Sequence, residues 1–111
     1  MPSRQHPTRS CVRLLFAALV ALPAAAAAQD DDPGRQIFVE EAQPPCGLCH
    51  TLADAGTSGA IGPNLDSVKP TKDRAELAIR EGINAMPSYA ETLTPEQIEA
   101  VADYVSRVAG R

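Results

Sequence analysis

The chain has 111 residues, with 10 Lys and Arg against 14 Asp and Glu, 10 Pro, 7 Gly, 3 Cys and no Trp. That length allows one domain at most. The acidic balance lacks the clustered Lys and Arg that nucleic acid requires, and it offers no attraction to anionic lipid.

Residues 1–28 read as a secretory signal peptide. Arg4, Arg9 and Arg13 precede an apolar run from Leu14 to Leu22, and Pro23 with Ala24 to Ala28 forms a small-residue exit. A charged stretch, a short apolar run and small residues are the pattern of a cleaved export signal. The apolar run is too short to cross a bilayer, which takes about 20 helical residues, so no membrane span is expected after cleavage. Cys11 lies before the apolar run, unlike a lipid-attachment cysteine. Cleavage after Ala28 leaves Gln29 to Arg111, with all 14 acids and seven of the 10 bases, a net charge of −7. The expected location is the periplasm.

Residues 29–32 form an acidic lead-in expected to be flexible, and 33–111 form the domain. Helical patterning begins at Pro33-Gly34 and runs to about Ala42, with Ile37 and Phe38 on the inner side. Pro44-Pro45 stop it, because neither can donate a backbone hydrogen bond. From Thr51 to Pro70 the chain is rich in Gly and Ala and reads as irregular, with turn signals at Gly56, Gly59 and Gly62-Pro63-Asn64. A second helix is expected from about Lys72 to Gly82, capped by Thr71, with Ala75, Ala78, Ile79 and Ile83 recurring on one side. The third carries the clearest signal. Thr94-Pro95-Glu96-Gln97 reads as N-cap, Pro at the first position and a capping box. Ile98, Val101, Ala102, Val105, Val108 and Ala109 make its apolar stripe, and Gly110 suits the position just past its end. No segment alternates like a useful strand. The class is all-α, with long loops.

Phe38, Tyr89 and Tyr104 are the only aromatics after residue 28. A core this small usually needs a staple. A bridge between Cys46 and Cys49 closes almost no loop and stabilises little. Cys46-Gly47-Leu48-Cys49-His50 is instead a C-x-x-C-H run, the signature of covalent c-type haem attachment. Thiols at i and i+3 on one helical turn face the same way and can meet two vinyl groups on one haem edge. His50 then brings its imidazole under the ring to the iron. The predicted cofactor is one covalent haem c, held by Cys46 and Cys49, with His50 as a metal ligand. Three other readings compete. A thioredoxin-like dithiol needs a βαβ setting, which is missing. A zinc site needs four ligands, and Cys46, Cys49 and His50 are the only Cys and His after residue 28. A chance match would not use every one of them in an exported chain.

With no second histidine after residue 28, a bis-histidine haem within one chain is impossible. The sixth position is taken by another group, by water, or by nothing. Met86 is the only methionine besides Met1 and sits in Gly82-Ile-Asn-Ala-Met86-Pro87, a loop after the second helix. It lies outside the apolar stripe, and Pro87 limits its backbone. Those features suit a ligand delivered from the far side. Thioether ligation opposite His raises the reduction potential and closes the iron to outside ligands.

Together these residues resemble the class I cytochromes c over almost all of 33–111. Gly34 and Phe38 match the family's N-terminal Gly-x-x-x-aromatic pattern, and Tyr104 is placed like the C-terminal helix aromatic that crosses it. Gly62-Pro63-Asn64-Leu65 is similar to the loop whose proline carbonyl accepts the proximal imidazole N–H. The resemblance implies a small cytochrome c fold of three or more helices around one haem, with Pro63 orienting His50. It also implies single-electron transfer between a donor and an acceptor protein, with no substrate bond made or broken.

A narrower likeness concerns Cys-Gly-Leu-Cys-His-Thr-Leu, Gly-Pro-Asn-Leu-Asp and Gly-Ile-Asn-Ala-Met-Pro. Together they resemble the small monohaem subunits that accept electrons from periplasmic sulfite-oxidising molybdenum enzymes. That implies a heterodimer with a dehydrogenase catalytic subunit. Lys69 and Lys72 are the only lysines, so docking through a lysine ring is not expected. An uncharged contact near Pro44, Pro45, Leu48 and Pro87, or attraction to a basic partner, fits better. The alternative from another class is a small haem enzyme or gas-binding haem protein with an open sixth position.

Overall fold

The computed structural model describes residues 31–111 together with Met1 and Ser3. Those two residues aside, the signal peptide expected at 1–28 lies outside the described residues, as do Gln29 and Asp30 of the lead-in.

The first helix, α1 (Pro33–Gln36), starts where Pro33 supplies a preset φ and Asp32 caps the free N–H groups. The Asp32 carboxylate accepts from Gly34 N at 2.9 Å and Arg35 N at 3.4 Å. Asp32 was assigned to the flexible lead-in; it is instead the N-cap of the first helix. The helix continues as a wider π turn over Ile37–Glu41, closed by the Ala42 N–H bond to the Ile37 carbonyl at 3.0 Å. That turn keeps Ile37, Phe38 and Ala42 buried together. Pro44 and Pro45 follow, and the chain restarts as α2 (Cys46–Cys49).

The segment 51–70 is more ordered than its composition indicates. Strands β1 (Thr51–Leu52) and β2 (Thr57–Ser58) pair antiparallel, Thr51 opposite Ser58 and Leu52 opposite Thr57. A short helix, α3 (Leu65–Val68), follows, with the Asn64 side chain accepting from Asp66 N. The all-α expectation is therefore corrected to a mostly helical fold with a minimal hairpin. Two-residue strands are too short to alternate visibly, so the periodicity signal has nothing to act on.

Helices α4 (Lys72–Glu81) and α5 (Pro95–Val108) fall close to their expected spans. Thr71 accepts from Arg74 N, and Thr94 and Gln97 complete a reciprocal capping box. Gly110 lies just past α5 at φ +71°, a left-handed conformation that glycine adopts at little cost. Ala75 and Ile79 are buried on α4, but Ile83, assigned to the same stripe, lies beyond the helix end and is exposed.

Both α1 and α4 pack on α5. At the α1–α5 crossing, a Cβ on Gly34 would run into the Ala100 carbonyl and the Tyr104 Cβ, so only glycine lets the two backbones meet. One turn on, Phe38 and Tyr104 pack edge to face with centroids 6.1 Å apart. The Tyr104 hydroxyl donates to Asp54 Oδ2 at 2.7 Å, joining α5 to the hairpin. Arg107 on α5 reaches Asp32 at 2.7 Å and Asp103 at 2.8 Å, which ties the entry of α1 to the last turn of α5.

Burial opposes ionisation of Asp32, yet hydrogen bonds from Arg107, Arg35 N and Gly34 N hold its carboxyl below the ordinary range. A carboxyl lowered in the folded state stabilises above its unfolded value, 3.8, and loses that contribution as pH falls through its folded value. Asp32→Asn keeps a capping oxygen but loses the ion pair. Its expected cost at neutral pH is at most about 1 kcal/mol, as for exposed ion pairs. Urea unfolding of the two proteins should converge as pH falls below 3.8; a gap that persists there would place the stabilisation elsewhere.

Candidate functional site

The site forms where α2, the 59–65 loop, α4 and the 82–89 loop face one another. Together they wall a cavity of about 420 Å³, within the range of small-molecule and cofactor sites. Cys46, Cys49, His50, Pro63 and Met86, all singled out from the sequence, line it. The single helical turn of α2 brings the two thiols onto the same wall.

His50 leaves the helix in extended conformation, φ −113° and ψ 138°. Its Nδ1 lies 2.8 Å from the Pro63 carbonyl. A carbonyl oxygen only accepts, so Nδ1 carries the proton and Nε2 keeps a free lone pair. The imidazole lies across Gly62, where a Cβ would meet the ring atoms Cε1, Nδ1 and Nε2. Gly62 N also donates to the Cys49 carbonyl at 2.7 Å. Gly62 and Pro63 thus hold the ring by shape and by a hydrogen bond.

Met86 is half-buried and packs against the core. Its backbone exchanges two hydrogen bonds with Ile83, at 3.1 and 2.9 Å, which closes a tight bridge at the loop tip. Asn84 in that loop takes φ +53°, a left-handed conformation that asparagine tolerates better than most residues.

Tyr89 is a further residue of the site, one that the sequence motifs do not mark. Its hydroxyl donates to the Pro44 carbonyl at 2.7 Å, and its backbone N–H bonds the Ile79 carbonyl at 2.9 Å. One side chain therefore ties the Met86 loop to the segment that enters α2. Burial, and then the neighbouring Cys46 and Cys49, push its hydroxyl up to about 12. The available signal was its position three residues after Met86 in a chain with few aromatics.

The cavity wall also contains Ile61, Val68 and Ile83, which are 73%, 47% and 55% exposed. Large apolar residues gathered on one exposed wall mark a surface built to be covered. Arg74 and Asn84 add polar groups to the wall. Among the described residues, no three His, Cys, Asp or Glu side chains gather as a metal cluster. A flat, mostly apolar macrocycle fits this wall better than a bare ion does.

A covalently attached porphyrin needs a thiol pair, an imidazole with a free nitrogen and an apolar slot between them; proteins so equipped are the c-type cytochromes. Residues 29–105 match the family described as cytochrome c oxidase, cbb3-type, subunit III, and the chain belongs to that family. Among solved structures, the c-type cytochrome SorU from Sinorhizobium meliloti matches at 56% identity and a TM-score of 0.69. That match covers 71% of this chain and 90% of SorU. No curated protein matches. The cofactor is haem c, and the chain is an electron-transfer protein rather than a catalytic enzyme.

A methyl group at Gly62 would push directly on the imidazole. Gly62→Ala is expected to cost about 1–3 kcal/mol, as overpacking does, and to lower haem incorporation. The ratio of Soret to protein absorbance in purified material reads this, and a ratio equal to that of the parent would show that the ring tolerates displacement.

Proposed function

We propose that the protein is an exported monohaem electron carrier whose iron is bound by His50 and Met86. The signal at 1–28 is removed, leaving the short acidic lead-in at 29–32, whose last residue caps α1, and the cytochrome domain at 33–111. The observation that carries this reading is the meeting of Cys46, Cys49, His50 and Met86 on one apolar cavity, although they are spread over 41 residues of chain.

In this reading Cys46 and Cys49 form the two thioethers. His50 presents Nε2 to the iron while Nδ1 donates to Pro63, which fixes the tautomer and raises ligand basicity. The Ile83–Met86 bridge and Pro87 hold the thioether in the wall. Arg74 and Asn84 on the cavity wall would offer polar partners to the carboxylates that a porphyrin carries. The bound haem supplies one-electron exchange between Fe(II) and Fe(III), with no bond in a substrate changed. Ligation by His and Met closes the iron to outside ligands, which suits a carrier and not a peroxidase.

The location proposed is the periplasm. The apolar run preceding Ala28 supports it, and no helix among the described residues is long and apolar enough to cross a membrane. The partner proposed is a dehydrogenase catalytic subunit of the sulfite-oxidising type, which donates electrons to this chain. The C-G-L-C-H-T-L, G-P-N-L-D and G-I-N-A-M-P segments support it. Leu48 stands 60% exposed between the two thiols in sequence, and Pro44 and Pro87 are exposed as well, which supports an uncharged contact at the haem edge.

Four measurements test the reading: intact mass, reduction potential, carbon monoxide binding and size exclusion. The intact mass of the exported protein should equal residues 29–111 plus one haem, and Cys49→Ala should lose most of that haem; a folded, colourless mature protein would remove the assignment. Met86→His should retain haem, still refuse carbon monoxide and lower the reduction potential. An unchanged potential would show that the sulfur is not bound, and carbon monoxide binding by the reduced parent would favour an open-site haem protein. Co-elution with a sulfite-oxidising dehydrogenase on size exclusion would distinguish a subunit from a free carrier.

A further inference from the structure

Three contacts share one spacing. Gly62 N donates to the Cys49 carbonyl at 2.7 Å, His50 Nδ1 to the Pro63 carbonyl at 2.8 Å, and Ala53 N to Asp66 Oδ2 at 2.8 Å. Each joins residues 13 apart in sequence, so the segments 49–53 and 62–66 lie side by side with three rungs between them. The first two rungs bracket the imidazole directly. The third, three residues further along both segments, is the only one of these that a charged side chain makes.

The other oxygen of that carboxylate, Asp66 Oδ1, accepts from Gly110 N at 2.8 Å. Gly110 is the left-handed residue just past α5, and a Cβ there would strike the Asp66 carbonyl and the Lys69 side chain. Asp66 therefore joins the hairpin, α3 and the end of α5 through one group. Hydrogen bonds from Gly110 N and then Ala53 N, with the Lys69 charge, hold its carboxyl below the ordinary range. It remains ionised at neutral pH and serves both donors at once.

We infer that Asp66 is a positioning residue for the haem: by clamping segment 62–66 to segment 49–53 it sets the Pro63 carbonyl against His50 Nδ1. The electronic consequence follows from that hydrogen bond. A firm acceptor at Nδ1 makes the imidazole a better donor to the iron and favours Fe(III). A slack one weakens the donation and favours Fe(II). Asp66 touches neither ring nor iron, so its effect passes through Pro63. The inference rests on the reading of His50 and Pro63 given above.

The test uses the full-length holo-protein carrying Asp66→Ala, Asp66→Asn or, as a control, Arg107→Ala. The control loosens the same end of α5 without touching the 49–66 segments. Two quantities are read: the exchange rate of the His50 Nδ1 proton by NMR in the reduced state, and the midpoint potential. Asp66→Ala should speed proton exchange by roughly tenfold or more and move the oxidised-to-reduced ratio roughly threefold toward Fe(II), about 28 mV at 59 mV per tenfold for one electron. Asp66→Asn, with one acceptor oxygen left for two donors, should move both in the same direction by less. Arg107→Ala should move neither. Should Asp66→Ala yield no holo-protein, Asp66→Asn decides. Unchanged exchange and potential in the Asp66 variants, or an equal change in Arg107→Ala, overturns the inference while leaving the ligand reading intact. A parent Nδ1 proton that exchanges as fast as a free imidazole overturns the Pro63 reading and the inference with it.

Discussion

The structure depends on one constraint: a chain with three aromatics after residue 28 has to build a slot for a large flat group and hold its one imidazole firmly on the slot's wall. The imidazole is fixed by its surroundings more than by its own helix. Gly62 gives it room and the Pro63 carbonyl accepts its Nδ1–H hydrogen bond, and both lie on a segment 12 to 13 residues downstream. Were that segment free to drift, the thiols would still sit on one turn, but the ring would have neither tautomer nor direction. The hairpin, α3 and the contact of Asp66 with Gly110 all serve to stop that drift.

The helices do a coarser task. The crossing of α1 with α5 at Gly34 and Tyr104 is a close backbone approach, and Phe38 fills the angle beneath it while also lining the cavity. The same side chain thus belongs to the protein core and to the haem wall. Val101 and Val105 on α5 do likewise. Fold and cofactor site share residues, so the haem completes the core rather than occupying a separate pocket. That sharing explains how so short a domain can manage without a disulfide between distant segments.

On the opposite wall, order comes from short-range hydrogen bonding. The Ile83–Met86 bridge and the Tyr89 hydroxyl fasten a loop that has no helix of its own. Tyr89 binds the carbonyl of Pro44, just before the thiol-bearing turn, so the two walls are tied across the edge of the cavity.

The amino-acid sequence by itself determined the attachment motif, the three longer helical segments and the caps of α4 and α5, because each is a matter of neighbours within about four residues. It also marked Met86 as the one available thioether and Pro63 as a resemblance-based partner for His50. Only the tertiary structure decided that Asp32 is a cap and ion-pair partner, that Ile83 leaves the helix to line the open cavity, and that Tyr89 and Asp66 act across 45 and 44 residues of chain. Those contacts carry no periodic signal, since a hydrogen bond between distant segments depends on where the backbone has been brought and not on the spacing of residue types. The two-residue strands escaped notice for the same reason: they exist because the segments on either side of them are already held together.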